Sequence, residues 1–428
     1  MIRTVVSNKY FRPVFFQLVS CLIFAKSFAQ PILIDSAYKW AGENYPLIKK
    51  ADLISQSEAY SLSNLAKGYL PQLNAYGQAT YQSAVTSISG VANLPIEPLS
   101  KDQYKAYLDV SQTLYDGGVI KSGQQIQKAS SALEVANLRK DLYDIKERIN
   151  QLFFGALLLQ IQTDQNNILI KQLTDTKIRV DSAVQNGAAF KSDAEQLQSE
   201  ILAQQQRSYD LQSTLTSYLQ MLEAFTGRKI DTVSELSMPA KTDVWLTSRN
   251  NRPELKIFDM QNQLYDQQIN LLKSKVRPKL SLFGQGGYGK PGFNVLKNQF
   301  DWFYIGGVRL NWSFSSLYTL KNERKNLEIK KQETGVNRET FLFNNNLAQL
   351  QQDNEKRKTD KLIATDEEII KLKQSISQSA KSKYENGVIT LNDFLKEINA
   401  LSQAQLNLAL HKIQSISNQY NRKITLGN

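Results

Sequence analysis

Cysteine and histidine each occur once in this 428-residue chain, as Cys21 and His411. A Cys/His zinc site therefore lacks ligands, and a Ser-His-Asp triad would depend on a single imidazole. Packing or surface exposure is the expected fate of His411, and no catalytic residue, metal site or cofactor is assigned. Long apolar runs are missing as well. No stretch of about 18 or more apolar residues occurs, which leaves no candidate for a transmembrane helix. Contact with a membrane would then be interfacial or made by β-strands, because only helices and closed barrels satisfy the backbone in lipid. Helix breakers are scarce over long intervals. From Val119 to Gln185 there is no proline, and the only glycines are Gly123 and Gly155.

What is present begins with a leader. Arg3, Lys9 and Arg12 precede the mostly apolar Val14–Ala25, and Ser27-Phe28-Ala29 places small residues before a cut at Gln30, the layout of a secretory signal peptide over residues 1–29. Leu18-Val19-Ser20-Cys21 also fits a loose lipoprotein box, although Leu22–Ala25 continue the apolar run beyond it. Removing 1–29 takes away Arg3, Lys9, Arg12 and Lys26 and no acids, so the net charge falls from +12 to 12 - 4 = +8. No cysteine remains for disulfide or thiolate chemistry. The remaining basic residues are mixed with acids, as in Lys321-Asn322-Glu323-Arg324-Lys325. That pattern predicts a solvated surface and no nucleic-acid partner.

The chain reads as one unit written twice. Pro46 and Pro253 stand 207 positions apart, as do Pro71 and Pro278, and Leu73, Gly77 and Tyr81 match Leu280, Gly284 and Tyr288 at the same offset. Further on the offset is 200: Leu108, Val110 and Leu114 match Val308, Leu310 and Phe314, Asn186-Gly187 matches Asn386-Gly387, Asp193 matches Asp393, and Gly227 matches Gly427. Two blocks with one change of offset imply a shorter loop in the second copy. The expected division is a first repeat over 30–233, a linker over 234–251 and a second repeat over 252–428.

Each copy predicts the same elements. A helix runs to Pro71 or Pro278, which ends it by forcing the preceding residue toward extended geometry. Two alternating segments follow. Leu73 and Tyr81, then Leu108 and Val110, mark the apolar face in copy one. Leu280, Leu282 and Tyr288, then Val308, Leu310, Trp312 and Phe314, mark it in copy two. Period-two alternation means strands with one apolar and one polar face. Long helices come next, Val119–Gln185 and Leu317–Glu385, each ~100 Å at ~1.5 Å per residue. Leu362, Ile369, Leu372 and Ile376 have coiled-coil spacing, continued by Leu406, Ile413 and Tyr420 in the return helix. Four strands cannot close a membrane barrel alone, since about eight are needed. Several chains must contribute. Tyr104, Tyr107, Trp302, Phe303 and Tyr304 at the strand ends are expected to form a membrane-interface girdle.

Leu70-Pro71-Gln72-Leu73-Asn74-Ala75-Tyr76-Gly77, Leu114-Tyr115-Asp116-Gly117-Gly118, Asn251-Arg252-Pro253-Glu254-Leu255 and the run Tyr384–Leu395 beginning Tyr-Glu-Asn-Gly-Val together resemble the TolC-like outer-membrane efflux protein family, in order and over essentially all of 31–428. That resemblance implies a fold that is mainly α with a membrane β-barrel portion. It implies a homotrimer with a 12-stranded barrel in outer-membrane lipid and an α-helical tunnel in the periplasm. It further implies a periplasmic adaptor protein and an inner-membrane pump as partners. Phe314-Ser315-Ser316-Leu317 replaces the glycine pair of the first copy, so the turn into the second long helix is expected to differ. Gln196 and Lys396 stand where some members carry a second acid near the tip.

Asn186-Gly187 and Asn386-Gly387 suit tight reversals and are the expected periplasmic tips that meet the adaptor. Asp193 and Asp393, just beyond them, carry two compatible readings. One is helix capping, with Ser192 and Glu195 in a capping-box pattern. The other is a gate: three copies around an axis would form carboxylate rings that favour cations, modulated by Lys396. Gly284-Gln285-Gly286-Gly287-Tyr288-Gly289 matches a dinucleotide fingerprint in letters, but it ends a strand and enters a loop, the wrong context for nucleotide binding. An adhesive or structural coiled-coil protein of the cell surface is the competing class, and it has no use for lipid-facing strand pairs.

Overall fold

The computed structural model describes residues 32–85, 98–233, 236–240 and 250–428. The expected signal peptide, Cys21 and much of the 234–251 linker lie outside the described residues. None of the described helices is long and apolar enough to cross a membrane.

The first helix among the described residues, α1 (Ile34–Asn44), is not among the predicted elements. Its Ile34, Ala37 and Ala41 recur at helical spacing and are buried in the main core. Helix α2 (Lys50–Ala66) lies between 3₁₀ turns at Pro46–Lys49 and Lys67–Tyr69. Strands β1 (Gln72–Tyr81) and β2 (Asp102–Tyr115) follow, then α3 (Val119–Gln185) and α4 (Lys191–Thr226). The second half repeats the order with α5 (Pro253–Lys275), β3 (Lys279–Lys290), β4 (Asp301–Asn311), α6 (Ser316–Glu385) and α7 (Leu391–Leu426).

Helix α3 starts at the Asp-Gly-Gly turn. Asp116 accepts hydrogen bonds from the backbone N–H of Gly118 and of Ile120, satisfying two of the donors a helix start leaves open. Gly117 and Gly118 hold φ of 75° and 90°, where any side chain would be strained. The second copy manages without them. There the backbone N–H of Leu317 bonds to the Phe314 carbonyl and that of Tyr318 to the Ser315 carbonyl, so a tight turn replaces the glycine pair.

Two clusters hold the helices. The larger joins α1, the middle of α3, and the C-terminal parts of α4 and α7 around Phe153, Ile149, Leu222 and Tyr420. Gly155 lies beneath the Tyr218 ring, so closely that a Cβ would overlap the ring carbons. In the same cluster the Tyr38 hydroxyl donates to Asn150, whose amide donates to Asn421 (2.9 Å). Burial, reinforced by the Asp35 charge, pushes the Tyr38 phenol far above its ordinary value. The second cluster ties the two hairpin tips together through Leu173, Leu197, Phe394 and Ile398. His411, on α7, packs against α6 with Nδ1 2.5 Å from an Asp366 carboxylate oxygen.

Helix α6 is the exception. Its buried residues are Thr334, Thr359, Asp366 and Ala380, all small or polar. Many of its apolar side chains, among them Ile329, Val336, Phe343, Ile369, Leu372 and Ile376, are exposed. Of the residues with coiled-coil spacing, Ile369, Leu372 and Ile376 therefore mark a seam turned away from the chain's own core, Leu362 and Leu406 are half-buried, and Ile413 and Tyr420 of α7 are buried.

Candidate functional site

The four strands make one antiparallel sheet in the order β1-β2-β3-β4. Strands β2 and β3 join the two hairpins, and β1 and β4 are the outer strands. The pairing register decides which side chains share a face. Leu73 pairs with Val110 and Ala75 with Leu108. Leu108 lies beside Gly286 and Ala106 beside Tyr288. Leu280, Leu282 and Tyr288 pair with Leu310, Val308 and Trp302. Leu73, Tyr81, Leu108, Val110, Leu280, Leu282, Tyr288, Val308 and Leu310 thus form one face. All except the half-buried Leu280 are exposed.

Trp312 and Phe314 depart from the expectation. Strand β4 ends at Asn311, and both residues lie beyond it. Trp312 Nε1 donates to the Val276 carbonyl (3.0 Å), and its ring packs on Phe314 at 4.7 Å between centroids. The preference of the indole N–H for an acceptor fixes Trp312 at the helix end of the sheet.

The expected aromatic girdle divides in two. Tyr104, Trp302 and Tyr304 stand on the apolar face, where Tyr104 and Tyr288 both stack on Phe300. Tyr107 and Phe303 point the other way, because successive strand residues alternate, and Phe303 sits between Trp302 and Tyr304.

The opposite face is mixed and concave: it carries Gln72, Asn74, Gln78, Thr80, Lys105, Asp109, Gln285 and Arg309 together with Tyr76, Tyr107, Phe283, Phe303 and Ile305. A Cβ on Gly289 would lie 2.7 Å from the Tyr104 carbonyl oxygen, and one on Gly287 would overlap Tyr107 outright. On the apolar face, Gly77 and Gly284 have nothing within 4 Å. Crowding on one side and open space on the other is what curvature toward the polar face produces. The glycines of the dinucleotide-like motif therefore lie within β3 and allow its close approach to β2; they do not form a phosphate loop. Gln285 donates to Asp109 across these strands at 2.7 Å.

At the far end of the helices, the two Asn-Gly turns have one geometry. Gly187 and Gly387 hold φ of 71° and 69°. The N–H of Ala188 bonds to the Ala183 carbonyl and that of Val388 to the Lys383 carbonyl, while the Asn186 and Asn386 amides donate to the carbonyls of Ser182 and Ser382. This closes the last turn of α3 and α6 in Schellman fashion. Phe190 and Val388 are left exposed at the tips, at 78% and 69%.

The two aspartates differ. Thr390 caps α7: its hydroxyl oxygen accepts from the Asp393 N–H, and the Asp393 carboxylate accepts from the Thr390 hydroxyl (2.7 Å) and N–H (3.3 Å). In the first copy Phe190 occupies the cap position and has no side-chain oxygen to offer; only its carbonyl accepts, from the Asp193 N–H at 3.1 Å. Ser192 is already inside α4, so the Ser192–Glu195 box does not form. Glu195 pairs with Lys191 instead, at an exposed site. Asp193 lies instead in a cleft with Arg179, Phe190 and Tyr384. The Tyr384 phenol is pushed up by burial first and by Asp193 second, with Arg179 opposing.

Hydrogen bonds from the Thr390 side chain, then its N–H, hold the Asp393 carboxyl below the usual range, with Lys396 adding to them. A carboxyl lowered on folding stabilises above its unfolded value and loses that contribution as pH falls through the folded value. Thr390→Ala should therefore lower the thermal midpoint at neutral pH, and the gap to wild type should close in acid. Equal midpoints at every pH would refute this role for the box.

No protein-family model and no curated protein matches the chain. Solved structures do. VceC from Vibrio cholerae, an outer membrane protein, superposes with a TM-score of 0.66 at 14% identity, over 92% of this chain and 96% of that one. CusC, studied for transmembrane channel formation, gives 0.65 at 16% identity over 92% of each chain. The open state of the Neisseria gonorrhoeae MtrE outer membrane channel gives 0.58 at 16%, over 92% and 89%. The chain has the fold of a TolC-like outer-membrane channel. In that channel fold the sheet and the two Asn-Gly tips lie at opposite ends of helices of 67 and 70 residues, or ~100 Å.

Proposed function

We propose that three copies of this chain form the outer-membrane exit duct of a multi-component efflux or secretion system. The observation that carries this is the open, curved sheet: an exposed apolar convex face, a more polar concave face, and two outer strands whose outward edges pair with no other described strand. Strands of 10 to 14 residues suit a tilted passage through a bilayer core ~30 Å thick. Pairing β4 of one copy with β1 of the next removes every edge. With four strands per copy, three copies give the 12-stranded barrel. The exposed seam of α6 supplies the matching contact between helices, and the duplicated unit supplies two helical hairpins per copy to a tunnel wall. The leader at residues 1–29 serves export to the outer membrane. The tips at Asn186-Gly187 and Asn386-Gly387, with Phe190 and Val388 exposed beside them, suit docking on a periplasmic adaptor that joins the duct to an inner-membrane pump.

Asp193, Asp393 and Lys396 are the proposed gate residues near these tips. Asparagine at 393 can still accept from the Thr390 N–H but carries no charge, so Asp393→Asn separates gating from capping. In a planar bilayer the wild type should conduct. Asp393→Asn should reduce cation selectivity and Lys396→Gln should raise it, most visibly at low salt. A protein that inserts but never conducts contradicts the duct. Unchanged selectivity in both variants contradicts the gate alone.

A further inference from the structure

On the concave face one row of residues crosses all four strands. Tyr76 pairs with Tyr107, Tyr107 with Gly287, and Gly287 with Phe303. The rings touch in sequence: Tyr76 and Tyr107 stack at 5.1 Å between centroids, Tyr107 and Phe303 meet at 6.4 Å, and Phe303 meets Phe293 of the β3–β4 loop at 4.7 Å. Gly287 makes the row continuous, because a side chain there would collide with Tyr107. Phe303 is covered by its neighbours, while Tyr76 and Phe293 are 47% and 53% exposed.

The neighbouring rows of this face are mainly hydrophilic. Asn74, Asp109 and Gln285 lie on the helix side, with the exposed Ile305 completing that row on β4, and Gln78, Lys105 and Asp301 lie on the loop side. Charges of both signs flank the row, so it offers no preference for ligand charge. What it offers is ring faces, which favour stacked or edge-on aromatic partners.

We propose that this row is a contact site for planar aromatic solutes on the inner wall of the duct, repeated in each copy as a collar. The proposal rests on the duct reading above. The test is the single-channel current of the full-length protein in a planar bilayer, with L-tryptophan as probe and L-leucine as the aliphatic control. Tryptophan should reduce the current reversibly and leucine should not. Tyr76→Leu and Phe293→Leu should each weaken the tryptophan effect about fivefold. Phe293 is a loop residue, so its variant leaves the strand pairing untouched. Equal action of tryptophan and leucine, or variants that respond like wild type, would overturn the collar while leaving the duct standing. If no current is seen from inserted protein, the duct reading fails and the collar with it.

Discussion

Leu108→Arg and Val308→Arg should each prevent stable insertion into lipid. Both residues lie within the middle part of their strands on the convex face and are 52% and 63% exposed in the single chain. Arginine on the lipid face near the bilayer midplane costs roughly 2–4 kcal/mol per site, and a trimer would carry that cost three times. Gln78→Arg, on the concave face, is the matched control and should insert normally, because its charge would meet water in the lumen. Insertion into lipid vesicles during titration from denaturant reads the difference. If all three variants insert equally, the assignment of faces is wrong.

Phe153→Ala should produce the largest loss of stability within the single chain. Phe153 is fully buried in the cluster that joins α1, α3, α4 and α7. Removing a buried phenylalanine costs roughly 3–5 kcal/mol, through lost transfer energy and the cavity left behind. Phe343→Ala on α6 should behave differently. That ring is 63% exposed in one chain, so its loss should weaken association between copies and spare the fold of each copy. Denaturant midpoints compared with subunit exchange rates separate the two effects. A large loss of single-chain stability from Phe343→Ala would show that α6 packs inward.

The long helices were legible because nothing interrupts them. The bounds Val119–Gln185 follow from missing prolines and from the Asn-Gly stop, and the structure has the same bounds. Alternation likewise placed Leu73, Leu108, Leu282 and Val308 on one face. Register was not legible, because it depends on which strands become neighbours, and the β2–β3 pairing joins segments far apart in sequence. Alternation against Leu108 and Val308 is enough to put Tyr107 and Phe303 on the face opposite Tyr104, Trp302 and Tyr304; that their rings line up in one row follows only from the pairing. Helix α1 is hard to read because its apolar positions, Ile34, Ala37 and Ala41, are few and acquire meaning only against α3. Ser192 and Glu195 have the spacing of a capping box, but the cap position is Phe190. In the second copy, the Thr390 and Asp393 pair carried the signal.

The most direct test is the native mass of the full-length protein purified from outer membranes in detergent. Four strands per copy, with two edges that no other described strand covers, predict a particle of three copies that persists on dilution. A stable monomer or dimer would contradict the 12-stranded barrel, and with it the duct.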